Sequence, residues 1–138
     1  MTQGARILVV DDEPQIRRSL QINLEHRNFA VVTAASSEEA LEAMIHRPPD
    51  VVIVDLVLPG MDGVELTRRI REHSPVPIII LSAIGDEQKK VEALESGADD
   101  YVTKPFGTEE LTARVRSALR RTVIQLSLIH ISEPTRPY

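Results

Sequence analysis

Three carboxylates, one amine and one hydroxyl stand where short apolar runs end, and such a set is equipped for chemistry. Asp55 closes the run Val51-Val52-Ile53-Val54 and is followed by the turn former Pro59-Gly60. This pattern predicts a buried parallel strand that delivers the acid to its C-terminal edge. Asp11 and Asp12 end the run Ile7-Leu8-Val9-Val10, Ser82 ends Ile78-Ile79-Ile80-Leu81, and Lys104 follows Tyr101-Val102-Thr103. Taken singly, each acid also suits helix capping or a turn, and a lone lysine is usually solvated. Taken together, the carboxylates would repel one another unless a proton or cation intervened. Hard oxygen donors without His or Cys suit Mg²⁺, Lys104 offers a mobile charge for phosphoryl oxygens, and Ser82 offers a hydroxyl. The set matches what phosphoryl transfer onto an aspartate requires.

The elements between these residues alternate strand and helix. After the first strand, Pro14 suits a first helical turn, with Ile16, Leu20 and Leu24 repeating on one face. Phe29 to Ala34 predicts a second strand. Ser36 and Glu39 then form a capping box for a helix that buries Ala40, Leu41, Met44 and Ile45. Asp62 with Glu65 caps a third helix carrying Leu66 and Ile70 inward, and Pro77 to Ser82 forms a fourth strand. Asp86 to Ser96 reads as a helix closed by Gly97, Asp100 to Thr103 as a fifth strand, and Thr108 as the cap of a last helix turned inward at Leu111, Val115 and Leu119. Right-handed βαβ crossovers then imply an α/β fold, a doubly wound five-stranded parallel sheet in the flavodoxin-like order 2-1-3-4-5. Its switch point lies between the first and third strands, which carry Asp11, Asp12 and Asp55.

Composition bounds the reading. The 138 residues suffice for one domain with its own core, and 42% hydrophobic with 27% charged residues is the balance of a globular protein. The absence of cysteine excludes disulfides and thiolate metal sites. No signal-like start or membrane-length apolar run is present, so the expected location is the cytoplasm, away from membranes. A net charge of -5 argues against general nucleic-acid binding by this chain alone.

Residues Arg6 to Arg121 resemble the receiver domain of two-component response regulators, with its CheY-like fold. The resemblance is carried by Val9-Val10-Asp11-Asp12-Glu13, by Asp55 with Leu58-Pro59-Gly60-Met61-Asp62-Gly63, by Leu81-Ser82-Ala83, and by Gly97-Ala98-Asp99-Asp100-Tyr101-Val102-Thr103-Lys104-Pro105-Phe106. It implies that Asp55 is the phosphoacceptor for a sensor histidine kinase. It further implies that Asp11, Asp12, Asp55 and the backbone carbonyl of Val57 hold Mg²⁺, that Ser82 and Tyr101 are the switch pair, and that Lys104 contacts the phosphoryl group. The Lys104-Pro105 bond resembles the family's cis peptide. Such a domain is a phosphoacceptor that catalyses its own phosphorylation and slow dephosphorylation. Lys90, Glu95, Asp99, Asp100, Glu110, Arg114, Arg116 and Arg121, around an apolar centre of Val91, Leu94 and Ala113, resemble the face through which winged-helix regulators dimerise on phosphorylation. Ordinary solvated helix faces would look the same. Within that group, Ile80-Leu81-Ser82-Ala83 and Lys104-Pro105-Phe106-Gly107 look most like the Kdp-type regulators of potassium transport.

After Arg121 the resemblance stops. Leu126 to Tyr138 looks like translated adapter sequence, a linker, or the first strand of a further domain. The expected organisation is a receiver over 1–121 and a non-native or linker tail over 122–138, with DNA reached only through an output domain absent from this chain. Other functions fit less well. Aspartate-nucleophile phosphatases carry a second acid where Val57 stands, and a flavodoxin-like phosphate site would be repelled by Asp11-Asp12-Glu13. A phosphorylation-independent docking module remains the alternative.

Overall fold

Strands covered on both faces can be apolar at every position, and two runs in this chain are buried throughout. In the computed structural model, which describes residues 4–132, these are β3 (Val51–Asp55) and β4 (Ile78–Ser82). The remaining elements are β1 (Arg6–Val10), α1 (Pro14–His26), β2 (Ala30–Ala34), α2 (Ser37–His46), α3 (Gly63–His73), α4 (Glu87–Glu95), β5 (Asp100–Thr103) and α5 (Thr108–Ser132). All strand pairs are parallel and the order is β2-β1-β3-β4-β5, as the alternating pattern predicts.

The two-residue strand period divides the core in two. On one face, Leu8, Val52, Val54, Ile78 and Ile80 pack with Ala40 of α2, Leu66 and Ile70 of α3, and Ala93 of α4. On the other, Ile7, Val9, Ile53, Ile79 and Leu81 pack with Leu20 and Leu24 of α1 and Leu111 and Val115 of α5. Helix starts place these faces. Pro14 opens α1, and the Ser36 Oγ and Asp62 Oδ1 accept N–H bonds from Glu39 at 3.2 Å and Glu65 at 3.0 Å.

Four expectations need correction. Glu39 Oε1 accepts from the Ala35 N–H at 2.8 Å, one residue upstream of the cap that a capping box would serve. Ile45 is 76% exposed and lines the solvent-open groove between α2 and α3, not the core. Thr108 is the first residue of α5, while the Gly107 carbonyl accepts from the Leu111 N–H at 3.1 Å. Residues 126–132 are helical, not a strand, since α5 continues unbroken past Arg121. The end of the tail, 133–138, lies outside the described residues. No helix among the described residues is long and apolar enough to cross a membrane.

Ile70 is 2% exposed in a core that cannot collapse around it, whereas Ile45 faces water. Ile70→Ala should therefore cost about 2–5 kcal/mol in urea unfolding, and Ile45→Ser no more than about 0.5 kcal/mol.

Candidate functional site

Sheet order and register bring the acids together. Val10 pairs with Val54, so Asp11 leaves β1 beside the end of β3, and Asp55 pairs with Leu81, one residue before Ser82. Ser82 pairs with Thr103 and its carbonyl accepts from the Lys104 N–H at 2.6 Å, which fixes the backbone of the lysine at the same edge. The Lys104-Pro105 peptide is cis. Local bonds then aim the side chains. Asp11 Oδ1 accepts from the Glu13 N–H at 2.9 Å, its carbonyl accepts from Arg17 Nη1 at 2.8 Å, and Asp55 Oδ1 accepts from the Val57 N–H at 3.3 Å. Gly63 lets α3 begin directly against the end of β3, because a Cβ there would lie 2.5 Å from the Asp55 carbonyl oxygen.

The electrostatics follow from that convergence. Carboxylate oxygens of Asp11, Asp12 and Asp55 lie within 4.8 Å of one another. Lys104 Nζ is 3.4 Å from Asp55 Oδ2 and 3.7 Å from Asp11 Oδ2. Burial, and then the charge of Asp11, push Asp55 up to about 6, against the opposing pull of Lys104 and the Val57 N–H. Asp11 is fully buried, and its Oδ2 has no hydrogen-bond partner among the described residues. A buried carboxylate oxygen without a donor, within reach of two further acids and no nitrogen or sulfur ligand, fits a hard cation. The cluster could therefore hold a metal ion.

Above it opens a cavity of about 480 Å³ lined by Asp12, Glu13, Asp55, Val57, Leu58, Pro59, Ala83, Asp86 and Lys104. A larger apolar groove of about 750 Å³ lies between the C-terminal ends of α2 and α3, at Met44, Ile45, Pro48 and Ile70, and contains none of these acids. Ser82 is 1% exposed, and its Oγ has no partner among the described residues. Tyr101 stands outward from β5, partly exposed, with Lys90 Nζ 4.3 Å from its ring centroid.

The residues resembling a dimer face gather on α4, β5 and α5, and several are paired within the chain. Val91, Leu94, Glu95, Ala113, Arg116 and Arg121 are exposed. Arg114 Nη1 donates to both carboxylate oxygens of Asp100 at 2.9 Å, and Arg114 also pairs with Glu110. Asp99 Oδ2 accepts from Arg71 Nη2 at 3.1 Å and from the Ile78 N–H at 2.8 Å.

Sequence reasoning gave no role to Arg71. Arg71 joins the α4–β5 corner to the end of α3 by donating to the Gly97, Ser74 and Val76 carbonyls. An arginine near a helix end carries no such signal in its local pattern. Asp86 was legible only as a helix start, yet its carboxylate accepts from the Ala83 N–H at 3.1 Å at the cavity rim.

Known proteins resemble this chain in sequence and in fold. The family model described as the response regulator receiver domain matches residues 7–116. The chain is 51% identical over 122 residues to the transcriptional regulatory protein KdpE of Mycobacterium tuberculosis, covering 88% of this chain and 54% of the relative. It is 42% identical over 135 residues to the transcriptional regulatory protein ResD of Bacillus subtilis, covering 98% and 56%. The chain thus spans about half the length of the curated relatives it matches. A crystal structure of a putative response regulator from Chloroflexus aurantiacus superposes with a TM-score of 0.81 at 39% identity, over 86% of this chain and 99% of that one. The resemblance to receivers of winged-helix, Kdp-type regulators is borne out by these relatives. On its matched length, its sheet order and its strand-edge acids, the chain belongs to the response regulator receiver domain family.

Proposed function

We propose that this chain accepts a phosphoryl group on Asp55 from a sensor histidine kinase, in a Mg²⁺-dependent step, and that the modification switches the α4–β5–α5 face toward dimerisation. The observation that carries this reading is the pairing of Asp55 with Lys104 at 3.4 Å on the floor of an open cavity, beside a buried Ser82 hydroxyl. In the transfer, an Asp55 carboxylate oxygen forms a bond to phosphorus while the phosphorus–nitrogen bond of the donor breaks. The leaving imidazole keeps the electron pair and takes a proton from water. Lys104 meets the negative phosphoryl oxygens, and Ser82 turns its hydroxyl onto one of them. Asp11, Asp12, Asp55 and the Val57 carbonyl would hold Mg²⁺, which offsets carboxylate and phosphoryl charge when bound.

The phosphorylated site draws Ser82 toward it, and Tyr101 follows inward into the space that Ser82 vacates. The altered surface then pairs with a second copy. Its charged rim is Lys90, Glu95, Asp99, Asp100, Glu110, Arg114, Arg116 and Arg121, and its apolar centre is Val91, Leu94 and Ala113. Residues 1–121 act as the receiver unit. Transcriptional control and DNA contact belong to an output domain beyond this chain, and the setting is the cytoplasm.

Incubation with acetyl phosphate and Mg²⁺ should add one phosphoryl mass to the intact protein, and Asp55→Asn should abolish the gain. A folded protein that gains no mass, or a partner bound equally well by Asp55→Asn, would sink the proposal. Val57 and Ile84 are exposed, apolar and unable to orient an attacking water, so the phosphoryl group should persist in the isolated protein. Loss within seconds would contradict that.

The carboxyl of Asp55 also predicts a pH effect. Its folded pKa of about 6 exceeds the ordinary 3.8, so the stability it contributes is fully present below about pH 4 and lost as pH rises through 6. In metal-free protein, Asp55→Asn should gain on the wild type by up to about 3 kcal/mol across that window in paired urea titrations. Saturating Mg²⁺ should narrow the difference above pH 6.

A further inference from the structure

A lysine that is 8% exposed needs a reason to be buried, because an ammonium leaves water only when something replaces its hydration. Lys90 on α4 has two replacements. Glu87 Oε1 lies 3.2 Å away on the same helix, but its side chain is 77% exposed, so water competes strongly for both charges. The face of Tyr101 lies 4.3 Å from Nζ and covers the ammonium from the β5 side. Tyr101 in turn stays outward, 37% exposed, over a strand position paired with Ile80. Each side chain therefore accounts for the placement of the other.

We propose that Lys90 is a cation–π latch that holds Tyr101 outward until Asp55 is phosphorylated, so that inward rotation of the ring and uncovering of the Lys90 ammonium are one event. The latch rests on the switch reading above and deepens it. With the ring outward, the ammonium is shielded and spent within its own chain. With the ring inward, the same ammonium loses its π face, keeps only a solvated carboxylate, and becomes available to a carboxylate on a facing surface. The coupling is reciprocal: whatever captures the Lys90 ammonium also favours the inward ring, and so favours the phosphorylated site. Lys90 is thus a positioning residue, acting on the site through Tyr101 without touching it.

Tyr101 and Tyr138 are the two tyrosines of the chain, so 3-fluorotyrosine labelling in a Tyr138→Phe background leaves one ¹⁹F reporter. The resonance of wild-type protein treated with acetyl phosphate and Mg²⁺ defines the inward state, with intact mass confirming modification of Asp55. Before treatment, Lys90→Met, which keeps the length of the stem and removes its charge, should raise the inward-to-outward ratio by about three- to thirtyfold in saturation-transfer spectra. Lys90→Arg, which restores a cation, should return it to near the wild-type ratio. A Lys90→Met ratio equal to wild type, in a protein whose reporter still shifts on phosphorylation, overturns the latch and leaves the switch standing. A wild-type reporter unmoved by full phosphorylation of Asp55 overturns the switch, and the latch with it.

Discussion

Two buried carboxylates, Asp11 and Asp55, held close together by their backbone with Asp12 beside them, set the terms for the rest of the molecule. Asp11 is pinned by the Glu13 N–H and by Arg17 on its carbonyl, and Asp55 is fixed by its pairing with Leu81 of β4 and by the Val57 N–H. Neither can relieve the repulsion by moving into water, as an exposed pair would. One ammonium, that of Lys104, answers them at 3.4 and 3.7 Å. The local sum of charge is negative, and burial magnifies it. The site is consequently a place where added positive charge stabilises and where an electrophile meets a crowded, poorly solvated oxygen. The strand order matters because it is what makes the crowding unavoidable.

The same logic runs outward to the α4–β5–α5 surface. Asp100 and Glu110 share Arg114, Asp99 is held by Arg71 and the start of β4, and Lys90 is held by Glu87 and Tyr101. In this state much of the face's charge is satisfied within the chain. Any intermolecular pairing on that face would compete with these internal partners.

Much of this was legible in the sequence, for a physical reason. A buried parallel strand needs unbroken apolar residues, and an acid ending such a run is conspicuous, so Asp11, Asp55 and the strand order followed from composition along the chain. Lys104 and Ser82 became significant once the order placed β4 beside β3 and β5 beside β4. What escaped was tertiary. Ile45 fits the periodicity of α2 yet lines an open groove, since periodicity reports a face and not how closely the neighbouring layer covers it. Lys90 reads as part of a surface-facing charged set, and its burial depends on a ring contributed from β5. Arg71 joins the Gly97 carbonyl at the α4–β5 corner to the Ser74 and Val76 carbonyls after α3, which no local pattern connects.

The contact at Gly63 has a geometric consequence. With no room for even a methyl group between the start of α3 and the Asp55 carbonyl, the backbones of β3 and α3 are in direct contact. Across the cavity, residues 83–85 are exposed, and the loop is tied chiefly by its own Ala83–Asp86 bonds. The wall of the site on the α3 side is thus set by a missing side chain, while the rim on the β4–α4 side stands open to solvent.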